Sequence, residues 1–227
     1  MDFPNFKDLF AKPNLNIHLA DQIEVGYNQS GPNLAISGSL TSSDKILFIE
    51  DIAIDLISKE DRSYRQFGWQ QFRPHKFTVG NFQGIDLKMA SKFFITPTAP
   101  FQYNIFFSDQ EQYERVSPLL KKIKENWQMA IERNTSNLDR SFENFIKKKF
   151  ITELWAEVKA LSFWKKGAYF LTFIARTKNP AQKFELQRSF TITDENITAL
   201  DKSSIQILAE LCNQSKIQNI SVTVNLD

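Results

Sequence analysis

The segment from Ile46 to Ile57 constrains the fold of this chain more than any other. Nine of its twelve residues are apolar, and five of them are isoleucine. From Ile52 onward it alternates with the period of a strand that buries one face. Leu47 and Ile49 lie on the opposite parity, so a single buried face requires one extra residue at positions 50–51. The sequence therefore predicts a long central strand with a β-bulge at this point. The alternative is a strand that is buried on both faces.

Short alternating patterns flank this central segment. They occupy positions 15–19, 23–27, 34–40, 91–96 and 101–107, and the aromatic segment 64–82 adds one or two more. About seven strands at short spacing, with no helical pattern between them, are typical of an antiparallel sandwich. The presence of 21 Phe against seven Gly also favours aromatic packing between sheets over a glycine-rich nucleotide loop. We predict a mainly β protein of the α+β class, built on an immunoglobulin-like antiparallel β-sandwich.

The second half of the chain mixes helical and strand patterns. Apolar residues recur at helical spacing over 118–131, 138–149 and 193–211, whereas 151–164 reads as a long strand. We predict three parts: a β-sandwich with a short N-terminal helix over 1–108, a helical connector over 109–149, and a β-rich C-terminal part over 150–227 with a helix near 194–212. The C-terminal part either completes the sandwich or forms a smaller second layer.

Cysteine usage and the N-terminus bear on the compartment. The single cysteine, Cys212, excludes an intramolecular disulfide framework and fits a reducing environment. The first residues lack the basic and apolar regions of a secretory signal. No window approaches the eighteen apolar residues of a spanning helix. We expect a cytoplasmic protein without a membrane span.

Compact catalytic motifs are missing from the sequence. A Ser-His or Cys-His pair needs a histidine, and the candidates are His18, on the polar side of its predicted strand, and His75. Cys212 lies on the apolar face of its helix, where a cysteine usually acts as a small core residue. Two His and one Cys make a zinc site unfavourable, and glycine-rich phosphate loops are absent. We predict no catalytic residue, no metal site and no cofactor.

The segment most suggestive of binding is 64–77, with the sequence YRQFGWQQFRPHKF. Interleaved arginine and aromatic side chains can stack on bases or sugars while the cations meet phosphate or carboxylate. The candidate ligand-binding residues are Arg65, Trp69, Arg73, His75 and Lys76. The same composition also fits an edge strand whose aromatic residues enter the core and whose polar residues face water. We favour this structural interpretation.

The favoured functional hypothesis is a non-enzymatic binding or adaptor module in the cytoplasm, with a protein as a possible partner. One alternative is a hydrolase that uses scattered carboxylates such as Glu50, Asp51 and Asp55. Another is a nucleic-acid-binding protein that uses 64–77 and the basic helices, because residues 121–178 carry thirteen Lys or Arg against six acids. Nucleic acid is the less favoured partner, because 64–77 holds only four basic groups, counting His75, and the formal net charge of +2 indicates no particular partner. The sequence predicts no oligomeric state.

Overall fold

The computed structural model describes residues 14–28, 31–43, 45–79, 82–133, 141–178, 180–213 and 220–227. For residues 73–79, 82–88, 133, 203, 205 and 220 it describes the backbone alone. The predicted N-terminal helix lies outside the described residues. No helix in the described ranges is both long and apolar enough to cross a membrane.

The described strands and helices follow one another with a helical insertion after the seventh strand. The strands are β1 (Leu15–Asn28), β2 (Gly31–Ser42), β3 (Leu47–Ser58), β4 (Tyr64–Val79), β5 (Phe82–Met89), β6 (Phe93–Ile95), β7 (Phe101–Ser108), β8 (Gly167–Lys178), β9 (Ala181–Ile192) and β10 (Ile220–Asn225). The helices are α1 (Gln110–Arg133), α2 (Phe142–Ile146) and α3 (Lys149–Ala160), between β7 and β8, and α4 (Asp194–Leu211), between β9 and β10.

All ten strands belong to one antiparallel sheet. Its order is β10-β1-β2-β7-β4-β3-β8-β9, with β5 paired to β4 and β6 paired to β3. The sheet curls until its edge strands meet at one bridge, between Phe190 and Leu226. The predicted mainly antiparallel β character is confirmed. The immunoglobulin-like sandwich is not confirmed, because these strands form one hydrogen-bonded sheet rather than two packed sheets.

The central strand matches its predicted pattern. The pairing of β3 with β8 shifts between Ile49 and Asp51, so two residues of β3 oppose one of β8. This bulge confirms the extra residue expected at positions 50–51. As a result, residues from both parities reach the inner face, where their side chains are fully buried: Leu47, Ile49, Ile52, Ile54 and Leu56.

The segment 151–164 was predicted as a strand, and this prediction is wrong. Residues 149–160 form α3. Ile151, Leu154, Trp155 and Val158 recur at spacings of three, one and three, which places them on one helical face. That face packs against α1 and the end of α4 around the buried residues Leu120, Ile123, Trp127 and Leu208. An apolar-rich helix was therefore mistaken for a strand.

The three-part division of the chain stays a prediction. The boundary at 108 coincides with the end of β7, and α1 and α2 lie within the predicted connector. The first and last parts nevertheless share hydrogen bonds, because β8 pairs with β3 and β10 pairs with β1. The C-terminal strands thus extend the same sheet as the N-terminal ones.

Candidate functional site

A cavity opens where the helices meet one end of the curled sheet. Its volume is about 80 Å³. It lies between the end of β1, the start of β2, the start of α1, the end of α3 and the middle of α4. We call it the inner cavity; its lining comprises Tyr27, Asn28, Gly31, Pro32, Gln112, Val116, Leu120, Trp155, Val158, Lys159, Ser162, Leu200, Asp201, Ser204 and Ile207.

The start of β2 and the start of α1 are fixed against each other beside this cavity. Gly31 has a φ of +93°, a conformation that side-chain-bearing residues rarely adopt. The Asp109 N–H donates to the Pro32 carbonyl at 3.4 Å. Asp109 Oδ1 in turn accepts from the backbone N–H of Gln112 at 3.0 Å, as an N-cap does. These hydrogen bonds therefore fix the backbone on the side of the cavity that is lined by Gly31, Pro32 and Gln112.

Most of the cavity wall is apolar. Val116 and Leu120 come from α1, and Leu200 and Ile207 come from α4, and all four are buried. Trp155 and Val158 of α3 complete this wall and are half-buried. A concave apolar wall with a few polar groups is the usual form of a small-molecule site.

Two polar side chains inside the cavity are held in place by hydrogen bonds. The Tyr27 hydroxyl accepts from the Trp164 backbone N–H at 3.1 Å. Burial raises the pKa of Tyr27 far above its usual value, and the nearby carboxylate of Asp201 adds to this rise. The phenol therefore stays neutral at physiological pH. Gln112 is 1% exposed, and its Nε2 donates to the Leu161 carbonyl.

An ion pair bridges α3 and α4 at the mouth of the cavity. Lys159 Nζ lies 3.0 Å from Asp201 Oδ1, and the side chains are 44% and 60% exposed. A second, more open cavity of about 330 Å³ lies beside this pair; we call it the outer groove. The two spaces share Trp155, Lys159, Asp201 and Ser204, and the outer groove adds Lys202. One ligand could thus extend through both.

Of the ligand-binding residues predicted from the sequence, the two whose side chains the structure describes, Arg65 and Trp69, line neither space. Trp69 is half-buried and packs edge-on against Phe72 and Phe93, with ring centroids 5.2 and 5.8 Å away. Its placement in an aromatic cluster agrees with the structural interpretation of 64–77. The side chains of Arg73, His75 and Lys76 lie outside the described part of the structure. The candidate set itself stays a prediction.

Arg65 is held by acidic residues at the start of α1. Its Nε lies 3.8 Å from Asp109 Oδ2, and its Nη1 lies 3.4 Å from Glu111 Oε1. The distance to Asp109 is too long for a hydrogen bond, and no described group donates to Asp109 Oδ2. Burial, which is the larger effect, raises the pKa of Asp109 despite the nearby guanidinium. Arg65 therefore connects the sheet to α1.

The described residues show no constellation typical of catalysis or metal binding. Within the described ranges, no group of three His, Cys, Asp or Glu side chains is placed to hold a metal ion. His18 is exposed. Cys212 is 1% exposed, and burial raises the pKa of its thiol to about 11. A thiol of this kind is a poor nucleophile.

Sequence reasoning missed the inner cavity because its residues come from four distant segments. The available signal was the helical spacing of Trp155 and Val158, which was assigned to a strand. Lys159 follows that face directly, and Asp201 follows Leu200 on the α4 face. A helical assignment of 149–160 would have placed Lys159 beside the apolar face of α3, as Asp201 is placed beside the apolar face of α4.

No protein-family model, curated protein or solved structure matches the chain significantly.

Proposed function

We propose that the protein is a non-enzymatic binding module that takes a small, largely apolar molecule into the inner cavity. The observation that carries this proposal is the apolar wall contributed jointly by α1, α3 and α4, with Tyr27 and Gln112 at fixed positions inside it. Apolar burial supplies affinity, and a few oriented polar groups supply selectivity.

The contents of the cavities favour binding over hydrolysis. Carboxylate chemistry requires two acidic side chains on opposite sides of a substrate. In the described parts of the chain, the inner cavity and the outer groove share one carboxylate, Asp201, which is paired with Lys159. Asp51 and Asp55 lie instead on the outer face of the sheet, where Arg176 and Tyr64 bind them. Those contacts suit a stabilising role on the surface.

We also propose that the protein resides in a reducing compartment, as its single cysteine leads us to expect. Cys212 is buried, and its backbone carbonyl accepts a hydrogen bond from Trp127 Nε1 at 3.0 Å. The residue thus fills the helical core beside the site, and the binding proposal requires no thiol chemistry.

A titration with 1-hexanol, followed by methyl NMR, tests the proposal. We expect saturable shifts for the methyl groups of Val116, Leu120, Leu200 and Ile207, which line the cavity. Methyl groups of the sheet core, such as those of Leu171 and Ile54, should not shift. Saturation without perturbation of the cavity methyls, or no binding at all, would contradict the proposal.

A blocking variant and a matched control locate the binding site. Ser204→Phe places a ring at the junction of the two spaces, and we expect it to abolish the 1-hexanol shifts. Thr198→Phe lies on the exposed side of the same helix. Each native hydroxyl donates to a backbone carbonyl of α4 or its first turn, Ser204 to Asp201 and Thr198 to Asp194. The control should therefore carry the same helical cost and retain binding.

A further inference from the structure

The outer groove, where it meets the inner cavity, carries more positive than negative charge. Lys159, Asp201 and Lys202 line it, and Lys159 and Asp201 also line the inner cavity. Lys159 is paired with Asp201, whereas Lys202 forms no ion pair with any described residue. Two ammonium groups against one carboxylate leave a net charge of +1 beside an apolar opening. A ligand that complements this junction carries a negative charge at one end.

The space behind the junction limits the ligand's tail. A cavity of about 150 Å³ accommodates benzene, so the inner cavity, at about 80 Å³, holds roughly three carbons. In a longer chain, the carbons next to the head group lie beside Trp155 in the outer groove, which shares that side chain, and the end of the chain occupies the inner cavity. The apolar lining selects an alkyl or similar chain over a polar one.

We propose that the ligand is an amphipathic monocarboxylate, with its carboxylate at Lys159 and Lys202 and its alkyl tail in the inner cavity. This inference rests on the proposed function and specifies the ligand class for the same site. Ion pairs as exposed as Lys159–Asp201 contribute little in water, so a ligand carboxylate can share or replace Asp201 as the partner of Lys159. Lys202 provides the second positive charge.

Three ligands with one chain length separate the contribution of the head group from that of the tail. Hexanoate, 1-hexanol and hexylamine are titrated at neutral pH and low salt, with the cavity methyl groups as the NMR readout. We expect hexanoate to bind most tightly, by up to about fivefold over 1-hexanol, as befits a partly exposed ion pair. Hexylamine should bind most weakly. The preference for hexanoate should disappear in 0.5 M NaCl, because salt screens exposed charges.

Variants assign the head-group preference to the two lysines. The double variant Lys159→Gln, Lys202→Gln should bind hexanoate no more tightly than 1-hexanol. Lys121→Gln is the matched control: this lysine is exposed, forms an ion pair with Glu125 and lines neither space. It should retain the preference for hexanoate.

The outcomes distinguish the inference from the function on which it rests. Equal binding of hexanoate and 1-hexanol by the wild-type protein would leave the binding function standing and overturn the carboxylate assignment. Tightest binding of hexylamine would also overturn it and identify Asp201 as the head-group partner. Failure of all three ligands to bind would remove the proposed function, and the ligand class with it.

Discussion

The curled sheet and the helical layer beside it differ in how completely they are packed. Inside the sheet, aromatic rings stack closely: Tyr169 lies on Phe190 at 5.2 Å between centroids, and Tyr103 lies on Phe173 at 5.6 Å. The helical layer instead leaves a cavity where α1, α3 and α4 approach the end of β1 and the start of β2. Close packing maximises dispersion contacts, and a void forfeits them. The sheet is thus the stabilising scaffold, and the helical layer holds the candidate site.

The difference has a basis in the sequence. The inner-face residues of β3 and β8 alternate along strands that pair over nearly their whole length, so every inward side chain faces a neighbour. In the helical layer, the apolar faces belong to α1 and α3, which lie between β7 and β8, and to α4, which follows β9, so the faces come from separate parts of the chain. An ion pair between Lys159 and Asp201 bridges the remaining gap. Incomplete closure between rigid elements leaves room for a ligand.

The largest expected effect is the loss of stability when one buried leucine of each region is replaced by alanine. Leu171 lies on β8 and is fully buried in the sheet core, whereas Leu120 lines the inner cavity. We expect Leu171→Ala to lower the free energy of unfolding by about 4 kcal/mol and Leu120→Ala by about 2–3 kcal/mol, because the truncated Leu120 gives up fewer contacts. Urea unfolding of both variants measures the difference. Equal losses would mean that the helical layer is packed as tightly as the sheet.

The sheet was more predictable from the sequence than the helical layer. Strand periodicity is read over a few residues, and the bulge at positions 50–51 follows directly from the parity change between Ile49 and Ile52. The curl of the sheet depends on which strands pair across long sequence separations, such as β3 with β8 and β1 with β10. Local patterns do not encode such pairings, and the predicted sandwich was therefore not confirmed.

The candidate site was less predictable for a related reason. The segment 64–77 is a candidate binding segment in the sequence because its arginine and aromatic residues are adjacent there. In the structure, Arg65 meets Asp109 and Trp69 joins an aromatic cluster. The inner cavity joins residues as distant as Tyr27 and Ile207. A site assembled from apolar side chains of several helices has no short motif that a single sequence can reveal.

The next prediction extends the comparison to Trp69 of the sheet, which belongs to an aromatic cluster that is only partly buried. Trp69→Ala should lower the free energy of unfolding by about 3 kcal/mol, the lower end of the range for large aromatic truncations, because the ring is half-buried. Gln70→Ala, at the exposed neighbouring position, should change it by less than about 0.5 kcal/mol. Urea midpoints measure both. A barely destabilised Trp69→Ala would restore 64–77 as a candidate binding surface.

The smallest expected effect concerns Asp109, where the sheet meets the helical layer. Its carboxylate is 2% exposed and lies 3.8 Å from Arg65. Burial raises its pKa, and the guanidinium lowers it by a smaller amount. The folded protein therefore binds this proton more tightly than the unfolded chain, whose aspartate pKa is about 3.9. From that pH up to the raised folded pKa, the contribution of Asp109 to stability falls as pH rises, and above it the contribution is constant.

Asp109→Asn removes this titration and keeps an N-cap acceptor for the Gln112 N–H. We expect the stability of the variant relative to wild type to increase between pH 4 and pH 7, as measured by urea midpoints at both pH values. Asp194→Asn is the control. It removes a carboxylate from the start of α4 that is exposed, so the burial that causes the effect is absent there. If the relative stability of Asp109→Asn instead decreased as pH rose, the hydrogen bond from the Gln112 N–H and the attraction of Arg65 would together outweigh burial. The fold would then favour the charged form of Asp109 where the sheet meets the helices.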